Sequence, residues 1–217
     1  MKRNIKKLTV LVIVATIAMF IVVAMASADE HRGKKAIHGE YAFNGTGACL
    51  FAGGGFSDYT HFVPKYGTVG VWQLGPNTWD GVYIFNKDGT GEMNAWHRFV
   101  SLQGPNFPPP PATPSAGLVQ VSWQFTYTVD RGEITFTYIP GTYVAKYLLG
   151  TMFGAELYCK LSESWTGRVS PDGKNIVVSL GVPLIFIPTV DQANTTPLTP
   201  YVELVCNFEH HGFRTDE

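Results

Sequence analysis

The residue in this chain most able to do chemistry is a glutamate in an apolar run. Across Leu157 to Val169 the odd positions read Leu157, Cys159, Leu161, Glu163, Trp165, Gly167 and Val169. In a regular strand the Glu163 carboxylate points into an apolar interior, where desolvation raises its pKa and suits it to a binding or acid–base role. The plainer reading, which carries somewhat more weight, is a bulge near Ser162-Glu163-Ser164 that turns the side chain outward. His97-Arg98, beside Trp96, has the types that bind an anion or exchange a proton. Consecutive strand residues face opposite ways, so the two cannot form one site, and an ordinary strand end is the simpler reading. His210-His211, with Glu209 and Glu203, has weak metal-binding character but reads as a surface tail. No Gly-x-Ser-x-Gly nucleophile motif, phosphate loop or metal-spaced histidine pair occurs, so no cofactor is implied.

The compartment decides how the cysteines read. Met1 to Lys7 is basic, Leu8 to Val23 is apolar apart from Thr9 and Thr16, and Ala26-Ser27-Ala28 supplies a small-x-small cleavage pattern. Residues 1–28 are therefore expected to be a signal peptide and 29–36 a solvated tail. An uncleaved anchor is the weaker alternative, because the apolar run is close to the roughly 18 residues that span a bilayer. Export to a periplasmic or extracellular space favours a disulfide among Cys49, Cys159 and Cys206, which allow three pairings and leave one thiol over. Cys159–Cys206 is the preferred pairing, with Cys49 a buried thiol. Cys49–Cys206 ranks close behind, provided the first and last strands are neighbours. No two cysteines are close in sequence, which disfavours a zinc site.

Positioning these residues falls to strands. Val119, Val121, Trp123, Phe125, Tyr127 and Val129 alternate with Gln120, Ser122, Gln124, Thr126, Thr128 and Asp130, the pattern of a strand with one wet face. A tight turn at Arg131-Gly132 then pairs Val129 with Ile134, Tyr127 with Phe136 and Phe125 with Tyr138. A second hairpin, centred on Asp88-Gly89, sets Val82 and Ile84 against Ala95 and Met93. A third, through Ser170-Pro171-Asp172-Gly173, sets Val169, Gly167 and Trp165 against Ile176, Val178 and Leu180. Shorter strands are expected at Gly39 to Gly45, Ala48 to Phe51, Val69 to Leu74 and Tyr201 to Phe208, while Tyr143 to Phe153 fits a strand or a short helix. Gly104 to Gly117, with Pro108 to Pro111 and Pro114, reads as a stiff exposed loop. Eight to ten such strands predict an all-β domain over residues 37–212, an antiparallel up-and-down barrel of about eight strands.

Composition narrows the function. The 217 residues are 45% hydrophobic and 15% charged, which excludes a disordered or coiled-coil chain. Four of the 16 basic residues lie in the leader, so 12 remain against 17 acidic ones, a net charge near −5. A nucleic-acid binder should instead show a basic patch.

Four segments carry a family resemblance: Ile37 to Phe43, Gly81 to Gly91, Phe125 to Asp130 and Trp165 to Lys174. Together they resemble small exported bacterial β-barrel proteins of the allene oxide cyclase and dirigent group, within the calycin-like folds. The resemblance spans roughly residues 37–209 and implies an up-and-down barrel with an apolar interior. Its motifs are mostly turns, so it carries no catalytic residue over.

The leading expectation is an exported barrel holding a small apolar molecule. Trp123, Phe125, Tyr127, Phe136, Tyr138 and Trp165 would line it and Glu163 would be its polar anchor. Solid core is an equally weighted reading of the same aromatic face. A cyclase or isomerase would need two convergent ionisable groups inside, of which the sequence offers one. A structural role through the loops is a third reading. An outer-membrane barrel is disfavoured by the cysteines, the Pro-rich loop and the charged C-terminus, so no membrane-integral state is expected after leader cleavage.

Overall fold

The structure, a computed structural model, describes residues 37–58, 61, 63–65, 71–102, 115–150, 153–161, 164–179, 183–189, 191–194, 196–197 and 202–215. Thirteen strands follow in chain order. They are β1 (Gly39–Gly53), β2 (Phe56–Asp58), β3 (Val63–Pro64), β4 (Val71–Phe85), β5 (Thr90–Leu102), β6 (Ser115–Asp130) and β7 (Glu133–Tyr138). The remainder are β8 (Val144–Leu149), β9 (Glu156–Leu161), β10 (Ser164–Val169), β11 (Asn175–Ser179), β12 (Leu184–Thr189) and β13 (Val202–Arg214).

Eleven of these form one sheet that closes on itself through β1 and β13. Two long strands explain the count. The first half of β6 pairs with β8 and its second half with β7; likewise β13 pairs with β12 and then β11. β7 with β8, β9 with β10 and β11 with β12 thus each lie along one barrel strand. Eight antiparallel strands run up and down around the barrel, a number whose interior side chains can fill or share with one small ligand.

Alternation sorts the two faces. On β6 the six apolar residues from Val119 to Val129 are buried, while Gln120, Gln124, Thr126, Thr128 and Asp130 are exposed. Aromatic inside and polar outside is the reverse of a transmembrane barrel's arrangement. Among the described residues no helix is long and apolar enough to cross a membrane.

The hairpin registers test the sequence pattern closely. At Arg131-Gly132 the pairs Val129–Ile134, Tyr127–Phe136 and Phe125–Tyr138 form as expected. Both turn residues have positive φ, 49° and 81°, the requirement of a two-residue turn matching strand twist. Val169–Ile176 and Gly167–Val178 also pair as expected, while Leu180 lies outside the described residues. The β4–β5 hairpin differs by one residue. Val82 faces Asn94 and Ile84 faces Glu92, so Tyr83 and Phe85 are the inward residues, beside Met93 and Ala95. The loop is the cause. Thr90 donates its N–H and hydroxyl to the Asp88 carboxylate at 2.9 and 2.7 Å, and Asn86 N–H donates to Thr90 O at 2.8 Å. That closure sets Phe85 opposite Gly91, and a one-residue slip turns every side chain over.

Strands are also longer than expected. β1 is continuous through residues 45–48, with a register shift against β4 between Gly47 and Cys49. β4 runs through Gly75-Pro76, where its pairing with β5 shifts; a proline fits a strand at such an irregularity. The ambiguous Tyr143 to Phe153 segment holds strand β8.

The preferred disulfide is corrected. Cys49 and Cys206 are bonded, and Cys159 is the free, buried cysteine. The pairing follows from barrel closure, because β1 and β13 are neighbours with Cys49 directly opposite Cys206. Cys159 lies on β9, which pairs with β8 and β12, so β12 separates it from β13.

The two ends of the barrel differ. One is closed by the turns at Asn86–Gly89, Arg131-Gly132 and Ser170–Lys174. There Tyr41 donates its hydroxyl to Gly173 O, and Tyr127 donates to Asn86 O at 2.6 Å, tying side chains to the turns. All the longer connections leave from the other end. One of them carries the β2–β3 hairpin, which folds onto the outer wall: Phe56 packs with Ala52 and Val205, and its N–H donates to the Glu203 carboxylate at 2.9 Å.

Candidate functional site

A single row of cross-strand neighbours crosses the inner wall. It runs His210 (β13), Gly45 (β1), Trp79 (β4), His97 (β5), Val119 (β6) and Tyr147 (β8). Two imidazoles thereby flank one indole. His97 stacks on Trp79 with ring centroids 4.0 Å apart, and His210 lies 5.7 Å from Trp79. His210 is itself held between Phe43 at 4.5 Å and Phe208 at 4.4 Å. Gly45 makes that position available, since a Cβ there would collide with the His210 ring and the Glu209 carbonyl.

Burial sets the protonation of this row. His210 is 0% exposed, and desolvation, with smaller contributions from His97 and His211, lowers its pKa to about 3. Desolvation lowers His97 to about 3 as well. Both are neutral imidazoles at neutral pH. Tyr83 is fully enclosed and burial pushes its phenol far above the ordinary range, so it keeps its proton. Its oxygen lies 2.8 Å from His210 Nδ1. A protonated phenol donating to Nδ1 leaves fewer orphaned groups than the reverse, so His210 carries its proton on Nε2. The Nε2 atoms of His97 and His210 are buried and have no hydrogen-bond partner. Buried polar atoms without partners are rare enough to require a reason.

Toward the long-loop end the wall continues through Phe99, 5.5 Å from His97 and 6.5 Å from Tyr147 between ring centroids. His97, Phe99 and Tyr147 face inward yet are partly exposed. This is the end of the interior from which the longer connections leave. Burial, with Cys159 nearby, raises the Tyr147 phenol to about 12. The Cys159 thiol is pushed up by burial alone, which leaves it a poor nucleophile. Tyr138 donates its hydroxyl to Cys159 O at 3.1 Å, and Tyr143 stacks on Trp123 at 5.6 Å.

The six aromatic residues singled out in the sequence come together deeper in the barrel. Trp123, Phe125, Tyr127, Phe136, Tyr138 and Trp165 are 0 to 8% exposed and belong to one cluster. Phe136 stacks on Trp165 at 5.2 Å, Phe125 meets Phe136 edge-on at 5.1 Å, and Trp123 meets Trp165 at 6.2 Å. Each such pair adds roughly 0.5–1.5 kcal/mol beyond area burial, so this part is a firmly packed plug. The indole nitrogens of Trp123 and Trp165 are nevertheless unpartnered. Glu163, the expected polar anchor, lies outside the described residues.

Both histidine motifs split as strand geometry requires. His97 faces in, while Arg98 faces out and pairs with Asp80. His210 is buried and His211 is exposed, so reading both as a surface tail is corrected. The signal was there: Cys206, Phe208, His210 and Gly212 continue the inward period of β13. Among the described residues no three His, Cys, Asp or Glu side chains form a metal-ligand group. No protein-family model matches this chain, and a search of curated proteins finds no match to it.

Proposed function

We propose that this protein is an exported barrel that binds a small apolar molecule between its aromatic plug and its long-loop end. The observation that carries the reading is His97: an inward, largely buried imidazole with an unpartnered Nε2, set in an aromatic wall beside partly exposed Phe99 and Tyr147. Ligand sites combine apolar walls with a few directed polar groups. Trp123, Phe125, Tyr127, Phe136, Tyr138 and Trp165 form the floor, and Glu163 is a second candidate anchor on sequence grounds. The leader-like N-terminus and the Cys49–Cys206 disulfide support export, and the barrel itself agrees with the calycin-like resemblance.

A cyclase or isomerase role gains one supporting observation, since His97 and His210 supply two ionisable groups inside. Their pKa values near 3 make both weak bases at neutral pH. Binding is the better-supported reading.

Native mass spectrometry of protein from its own exported fraction, followed by solvent extraction, tests it. A stoichiometric apolar adduct, retained less well by Glu163→Gln or His97→Phe, supports an interior site. A bare mass, together with no uptake of added apolar fluorophores, overturns it.

A further inference from the structure

Among the described residues of the long-loop end no Lys or Arg turns into the barrel. The connections there comprise residues 54–70, 103–114, 150–155 and 190–201, and their only Lys or Arg is Lys65, which is exposed. The strands that line the opening turn their cations outward. Arg98 pairs with Asp80, and Lys146 lies 3.6 Å from the Glu156 carboxylate, both on the outer face. Among the described residues, those that face inward at this level are neutral: the His97 imidazole, the Phe99 ring and the Tyr147 phenol. His97 Nε2 is buried and has no hydrogen-bond partner among the described residues, and Phe99 lies between its ring and that of Tyr147.

We propose that the molecule held toward the long-loop end is uncharged, an apolar body bearing one oxygen function such as a ketone or alcohol. His97 Nε2 receives that oxygen, with the Tyr147 phenol beyond Phe99 at the rim, and carboxylates such as fatty-acid anions are rejected. The inference rests on the interior-binding reading and names its ligand class. Imidazole and phenol can each donate or accept, so either a carbonyl or a hydroxyl finds a partner. An anion would give up its hydration for a wall toward which no described cation turns, a cost that neutral hydrogen bonds do not offset. Burial keeps both groups neutral at physiological pH, in line with this selectivity.

Three probes of one shape test the proposal on the full exported chain at pH 7.5: 2-acetylnaphthalene, 2-isopropylnaphthalene and 2-naphthoate. The ketone should bind about 5-fold tighter than the hydrocarbon, the worth of roughly 1 kcal/mol of hydrogen bonding, and at least about 10-fold tighter than the carboxylate. His97→Phe, which keeps an aromatic ring against Trp79, should bring the ketone down to the hydrocarbon's affinity. Tyr147→Phe, beyond Phe99 at the partly exposed rim, should change the preference far less and leave the fold undisturbed. Naphthoate binding as tightly as the ketone overturns the proposal, as does a ketone preference that survives both variants. Equal binding of ketone and hydrocarbon overturns the anchoring role while leaving the interior site standing. If none of the three binds, the interior site itself falls and this inference with it.

Discussion

Tyr83 and His210 meet at 2.8 Å inside the barrel, one on β4 and the other on β13, with the glycine-containing strand β1 between them. The phenol donates to Nδ1 and so fixes which nitrogen of the imidazole carries the proton. Removing that donor leaves a buried acceptor unpaired. Tyr83→Phe should therefore destabilise the fold by about 1–3 kcal/mol in urea unfolding. It should also mix the two His210 tautomers, which nitrogen-15 shifts of the imidazole resolve. A single unchanged tautomer would show that something other than Tyr83 holds the ring.

Acid should loosen this barrel through its two inward histidines. Their pKa values are about 3 in the folded state, against an ordinary 6.5. Between those limits the unfolded chain binds more protons than the folded one, so stability rises with pH. Each histidine's contribution is fully present above pH 6.5 and is lost as pH falls toward 3. The slope is at most about 1.4 kcal/mol per pH unit for each histidine. Urea midpoints measured from pH 7 to 4 should fall steadily, and His210→Phe should flatten the curve. A profile that stays flat in the native protein would mean that the histidines are not buried as neutral groups.

The fold was readable where strand period and turn chemistry agree. Val119 to Tyr138 is the clearest stretch, because a two-residue turn leaves only one register compatible with a single apolar face. The β4–β5 hairpin misled by one residue, because Asp88 closes an asymmetric loop that no period reveals. The aromatic plug was legible for the same reason as its strands. His97 and His210 were harder, since a histidine on an alternating strand satisfies the pattern of either face. Which strands meet at the barrel seam is a long-range property, and the choice of cysteine partner depended on it.

Cys49–Cys206 joins the first and last barrel strands and encloses a sequence separation of 157 residues. In the unfolded chain that link removes a large loop entropy. Cys206→Ser should lower stability by roughly 3–5 kcal/mol, with the free Cys159 unchanged in its burial. Hydrogen exchange should rise first along β1 and β13, since the seam is where the sheet opens. Uniform exchange across all strands would show that the barrel unfolds as one unit and that the bond only restrains the unfolded state.

Gly45 tests whether the histidine row is built as tightly as its ring contacts indicate. The position faces inward, between His210 and Trp79 in the row, and the space a side chain would need is taken by the His210 ring and a strand carbonyl. A strand would normally gain from losing a glycine, because the unfolded chain becomes less flexible. Here the added methyl must push the imidazole off its place between Phe43 and Phe208 or part β1 from β13. Gly45→Ala should therefore destabilise by about 1–3 kcal/mol, the usual range for an overpacked interior, and should shift the His210 ring resonances. Combined with His210→Ala, which clears the space, the same substitution should become nearly neutral. A Gly45→Ala penalty that persists in the double variant would place the clash on the Glu209 backbone instead of on the imidazole.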